Sequence, residues 1–224
     1  MAGAAHLNVR HRMHNFRQIC ASLVLVAGAV TTFAQANEFP SPEAAVAVLL
    51  PNAKFVQWES ADGDFNGDGV NDRAMLLAEM DGPVDKQREI RLVVLAGLSG
   101  GKYAALSVSS RYCSAQKFYN LKADGASLFA TEVHKAEGDA LITNTLQFRF
   151  NKKHADFELI GKENIWESGN EYGRISINYL AGKFIRYERV RGHIRVKEEK
   201  RFKVPRPARL NGFDCDRYFD GMPY

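Results

Sequence analysis

From Phe55 onward, runs of β-branched and aromatic residues are cut about every ten residues by clusters of Gly, Asn and Asp. A chain written this way suits little besides an antiparallel β protein, because the breaks are turn-length and leave no room for crossover helices. The runs fall at 55–60, 73–78, 88–98, 103–109, 127–133, 141–150, 157–166, 173–179, 183–190 and 193–203. Within 103–109 the residues alternate, Tyr103, Ala105 and Ser107 against Ala104, Leu106 and Val108, as a half-buried strand would. One helix is expected before them. Ser41-Pro42-Glu43 supplies a serine cap, a proline at the first helical position and an acid in the first turn, and Pro51-Asn52 ends the segment. The expected fold is mainly β (α+β): antiparallel sheets with one short N-terminal helix in a single domain, and an irregular tail from Val204.

Between the first two runs, within residues 62–72, lies Asp64-Phe65-Asn66-Gly67-Asp68-Gly69-Val70-Asn71-Asp72. Side-chain oxygens stand at positions 1, 3 and 5, glycine at 6 and another carboxylate at 9. Calcium takes six to eight hard oxygen ligands, and a tight loop with a ligand at every second residue can wrap them around one point. Gly69 permits the reversal that would let the Val70 carbonyl join. The expected metal ligands are therefore Asp64, Asn66, Asp68, Val70 through its carbonyl, and Asp72, with Ca²⁺ as the cofactor. A solvated Asp/Asn/Gly turn draws on the same residue types. An EF-hand is excluded, since position 12 is Met75 and not a bidentate Glu, and 73–78 reads as a strand.

Gly63 to Asp72 resembles the FG-GAP calcium loop of β-propeller blades, Gly-Asp-Phe-Asn-Gly-Asp-Gly-x-x-Asp. The motif occurs once and no repeat period accompanies it, so a propeller is not expected. A looser resemblance covers most of the chain. Small exported bacterial proteins of uncharacterised function pair one such loop with later stretches like Leu146-Gln147-Phe148-Arg149-Phe150, Asp156 to Gly161 and Ile175 to Lys183. That resemblance implies a compartment and a β-rich domain, and little about activity.

Residues 1–36 read as a signal peptide. Arg10, Arg12 and Arg17 make a positive n-region, Ile19 to Val30 an apolar stretch too short to span a bilayer, and Ala34-Gln35-Ala36 a small-x-small cleavage site. Cleavage after Ala36 would leave 188 residues (224 less 36). The expected location is the periplasm or outside the cell, with no membrane span after cleavage. Without the signal arginines, 27 Lys/Arg face 26 Asp/Glu, but residues 182–209 alone carry 11 Lys/Arg against 3 Glu. That stretch suggests a protein or anionic-glycan partner, or else a solvated sheet face on which Ile194 and Val196 alternate with Arg195 and Lys197. No nucleic-acid recognition motif is present.

Cys113 and Cys215 remain after processing and are expected to bridge, two separate buried thiols being the alternative. Catalytic signals are thin. Gly97-Leu98-Ser99-Gly100-Gly101 matches the nucleophile-elbow pattern, but Lys102 to Ser110 continues as a strand and not a helix, so a hairpin turn is the better reading. His134, His154 and His193 are far apart in sequence and read as exposed residues, not zinc ligands. No catalytic residue and no organic cofactor is assigned. The expectation is an exported calcium-binding, non-enzymatic interaction module, for example an inhibitor or immunity-type partner of an envelope-acting protein. The alternative is an envelope hydrolase with an unrecognised site.

Overall fold

In the computed structural model, residues 37–51, 54–80, 89–110, 112–114, 118–136, 139–204 and 206–215 are described. The expected signal peptide lies outside them. Helix α1 (Pro42–Leu49) starts as its sequence dictates. The Ser41 side chain accepts a hydrogen bond from the Ala44 N–H at 3.2 Å, Pro42 takes the first turn, and Glu43 sits where the helix dipole favours an acid. The Leu50 N–H closes the end on the Val46 carbonyl.

Twelve strands follow among the described residues: β1 (Phe55–Gly63), β2 (Asp72–Glu79), β3 (Glu89–Gly97), β4 (Tyr103–Val108), β5 (Cys113–Ser114), β6 (Phe118–Asp124), β7 (Ser127–Lys135), β8 (Leu141–Asn151), β9 (Asp156–Ser168), β10 (Glu171–Asn178), β11 (Lys183–Val190) and β12 (His193–Arg201). They make two antiparallel sheets. The smaller runs β1-β2-β3-β4, with β5 also paired to β3; the larger is an unbroken meander in the order β12 to β6. Ala36–Tyr224 make one compact unit. The mainly β, antiparallel architecture with one short helix is as the sequence implies. Strands β5 and β6 are the additions, β6 on a stretch whose apolar residues Tyr119, Leu121 and Ala123 do alternate.

The layers follow from side-chain polarity. β2 and β3 are nearly continuous apolar runs because both faces are covered. Met75, Leu77, Val93 and Leu95 face Phe39 and Ala45 of the helical side. Ala74, Leu76, Leu92 and Val94 face the larger sheet, where Leu128, Leu146, Phe148, Phe157 and Leu159 meet them. Each fully buried Leu or Phe contributes roughly 1.5–3 kcal/mol over leaving it in water. After β12 the chain crosses back: the Leu159 N–H bonds the Ala208 carbonyl and the Leu210 N–H the Phe157 carbonyl. Leu210, Phe213 and Cys215 thereby enter the core beside Tyr112, whose ring stacks on Phe213 at 5.8 Å.

Two expected alternations are corrected by β-bulges, where one extra residue moves the following side chains to the other face. In β4 the pairing shifts between Val94↔Ser107 and Leu95↔Ala105, so Tyr103 and Val108 both pack on the helix side while Leu106 packs on the inter-sheet core. In β12 the register steps from Arg189↔Ile194 to Glu188↔Val196, so Ile194 and Val196 face opposite ways and Ile194 is 60% exposed.

Candidate functional site

The Asp-rich segment is the connection between β1 and β2, presented at one end of the smaller sheet. Gly67 (φ 72°) and Gly69 (φ 86°) hold the left-handed conformations that tighten it. Phe65, at the second loop position, is buried and meets the Phe157 ring edge-on at 5.8 Å, which pins the loop to the core.

The predicted ligands are not equivalent. Asp64 is half-buried and folds over the loop: its Oδ1 accepts from the Gly67 and Asp68 N–H groups at 2.8 and 3.0 Å, and its Oδ2 from Gly69 at 3.0 Å. The Asn66 Oδ1 accepts from the Asp68 N–H at 2.9 Å, while its amide donates to the Asp68 Oδ2 at 2.8 Å. Asp68 is exposed, and its Oδ1 accepts from the Val70 N–H at 2.8 Å. Val70 is exposed at the loop tip.

Asp72 is different. It is fully buried, and its Oδ2 accepts from the Phe65 and Asn66 N–H groups at 2.8 and 3.1 Å. Its Oδ1 reaches across to β3 and accepts from the Gly97 N–H at 3.1 Å. Burial raises its carboxyl pKa above the ordinary value; the three backbone donors oppose that, and the charge of Asp68 adds to it. The ninth loop position is thus a clasp between the loop and the sheet. The motif marks this residue, but nothing local in the sequence announces the bond to Gly97.

Among the described residues, no three His, Cys, Asp or Glu side chains are grouped so as to hold a metal ion. Asp64, Asp68 and Asp72 are turned at least partly onto loop N–H groups instead. An ionised carboxylate has about four lone-pair sites, so these bonds leave acceptor capacity on each. All five expected donors are oxygens, the chemistry that fits calcium or magnesium and not zinc. Next to the loop, the Lys152 ammonium from the β8–β9 turn lies 3.4 Å from where a Cβ on Gly67 would be.

The catalytic alternatives find no assembly. Ser99 lies in a hairpin turn between β3 and β4, closed by the Leu98 N–H on the Lys102 carbonyl at 2.8 Å, with Gly100 and Gly101 at positive φ. Strand β4, and not a helix, follows it directly. His134 is on β7, His154 in the β8–β9 turn and His193 at the start of β12. The exposed reading holds for His193 alone. His134 lies 3.7 Å from the buried Glu132 carboxylate, and His154 contacts Arg209 at 3.0 Å, because both rings pack against the sheet. Inside the larger sheet Glu132, Asn144 and Asn164 form a hydrogen-bonded row across three strands, a satisfied polar ladder in a covered face. Surface hollows lined by described residues include three with no catalytic grouping. One of 290 Å³ lies between α1 and the smaller sheet, one of 320 Å³ lies near Arg91, and one of 450 Å³ lies at the β9–β10 and β11–β12 turns. None of the three brings a serine, cysteine or histidine together with a base.

Cys215 is buried and its N–H donates to the Tyr112 carbonyl at 2.8 Å, which sets it beside the strand β5 that begins at Cys113. No helix among the described residues is long and apolar enough to cross a membrane. Compared with family models, with curated proteins and with solved structures, the chain gave no match.

Proposed function

We propose that this chain is an exported, non-enzymatic binding module whose β1–β2 loop holds calcium through Asp64, Asn66, Asp68, the Val70 carbonyl and Asp72. The observation that carries the reading is the division of labour in the loop. Asp72 and Phe65 fix it to the sheet and the core, while Asp64, Asn66 and Asp68 keep oxygen capacity at an accessible tip. Calcium would neutralise three carboxylates brought close in one loop and so stabilise the folded domain. With Met75 in place of the bidentate glutamate, the affinity expected is on the order of 10⁻⁴–10⁻³ M, as in extracellular modules. At a hundredfold excess over Kd, linkage adds about 2.7 kcal/mol to stability.

The remaining parts of the reading concern compartment and partner. Arg10 to Ala36 supports export with cleavage after Ala36 to the periplasm or beyond, and the cationic stretch 182–209 supports a protein or anionic-glycan partner. A calorimetric titration with calcium, paired with thermal melts in millimolar calcium and in chelator, tests the metal. Binding together with a raised Tm, weaker with magnesium, is the expected result. Absence of heat and superimposed melts would overturn it.

A further inference from the structure

The far end of the larger sheet is built for something other than packing. β12 is nine residues long and none of them is buried. At this end of the sheet, Phe184 of β11 and Phe202 just after β12 pack against the inter-sheet core. A long, exposed edge strand is a liability that folds avoid unless it is used or blunted.

The register sorts the side chains. Ile177, Phe184 and Lys200 are paired neighbours on the core-facing side, as are Ile175, Arg186 and Glu198. The opposite, outward side carries Arg174, Lys183, Arg189, Lys197 and Arg201. Of the carboxylates on this side, Glu163 bonds Arg174 and Glu199 bonds Lys183, while Glu167 of β9 stands across from Tyr172. Among the described residues Lys197 and Arg201 have no acidic partner. On this same side Tyr172 and Tyr187 meet edge-to-face at 6.1 Å, and the Arg189 guanidinium lies 5.6 Å from the Tyr172 ring centre. Tyr172 and Arg189 also line the open 450 Å³ hollow at the end of the face, where Glu167 and Glu171 join them, so the cationic part of the face is the side toward Lys197 and Arg201.

We infer that this outward face of β10–β12 binds a carboxylated polysaccharide. The cations project from strands about 4.8 Å apart, with same-side residues about 7 Å apart, a flat array suited to a linear polyanion. The fixed tyrosines offer ring faces and hydroxyls to sugar rings, which a purely electrostatic patch does not need. An acidic peptide would instead favour the free edge of β12, where its backbone could pair. The inference rests on reading the domain as a binding module and is independent of calcium.

The test is binding of the mature protein to polygalacturonate, in chelator because that polymer itself takes up calcium, with dextran, polyglutamate and anionic phospholipid vesicles as comparisons. Binding of polygalacturonate alone is expected, about tenfold weaker when salt rises from 0.05 to 0.5 M as exposed charges are screened. Arg201→Glu should weaken it several-fold, Lys197→Glu with Arg201→Glu more, and Tyr172→Ser should weaken it at an unchanged Tm. Lys200→Glu carries the same charge change one residue away on the other face and should leave affinity within about twofold. Equal losses from Arg201→Glu and Lys200→Glu would reduce the effect to net charge and overturn the assignment. So would equal binding of polyglutamate or of the vesicles, or no binding at low salt. Calcium-dependent melting retained in the face variants keeps the two readings separately testable.

Discussion

The Asp72 carboxylate, buried at the start of β2, accepts a hydrogen bond from the Gly97 N–H at the end of β3. One side chain therefore ties the β1–β2 loop to the neighbouring strand and, through Phe65 and Asn66, closes the loop on itself.

The two ends of the loop's carboxylate set should then behave differently on mutation. Asp72→Ala leaves three backbone donors without their acceptor and should cost on the order of 3 kcal/mol even in chelator. Asp68→Ala removes only exposed bonds and should cost less than about 1 kcal/mol in chelator, while abolishing the rise in Tm with calcium. Urea unfolding of both variants, with and without calcium, separates the effects; equal losses in chelator would contradict the clasp.

Gly97 has no room for a side chain. A Cβ there would lie 2.1 Å from the Asn71 carbonyl oxygen, which is backbone and cannot swing aside. Gly97→Ala should destabilise by about 3 kcal/mol or more by forcing the loop off the sheet. Gly100→Ala, in open space two residues into the turn, should cost about 1 kcal/mol through its positive φ alone.

A Cys113–Cys215 bridge is expected in protein purified from an oxidising compartment. It would close a loop of about 100 residues, and reduction should then lower stability by about 4–5 kcal/mol on loop-entropy grounds. Mass mapping under non-reducing conditions checks it, two free thiols being the contrary result.

Tyr112 gives a pH signature. Its phenol is fully buried, and desolvation, with smaller contributions from Tyr119 and Glu132, holds its pKa well above the ordinary tyrosine value. The folded state keeps this proton while the unfolded chain loses it near pH 10, so stability is unaffected below that pH and falls as pH rises beyond it. Ultraviolet titration of Tyr112→Phe against the parent should show one tyrosinate appearing only with unfolding. A reversible ionisation of Tyr112 in the native protein would refute this.

Local chemistry wrote much of the architecture plainly. Ser41-Pro42-Glu43 starts the helix where it stands, and Ser99-Gly100-Gly101 turns β3 into β4. β6 carried its signal in the alternation of Tyr119, Leu121 and Ala123, but Asn120, Lys122 and Asp124 have low strand propensity and pairing to β7 overrides it. The bulges at Leu106 and Arg195 were illegible because they are a property of the partner strand's register, and each reverses a face without changing composition. At the loop, the oxygen-bearing positions are explicit in the residues. The bond from Asp72 to Gly97 spans 25 positions and exists only once the strands have paired.

The returning tail has a consequence for the order in which the molecule can form. The meander from β6 to β12 pairs neighbours in sequence and can zip up as it is made. Its apolar interior is not sealed until Leu210, Phe213 and Cys215 arrive against Tyr112 and Phe148. A chain interrupted anywhere before residue 210 would display an open, greasy slot, so completeness of synthesis is read out directly as protection from proteases and aggregation.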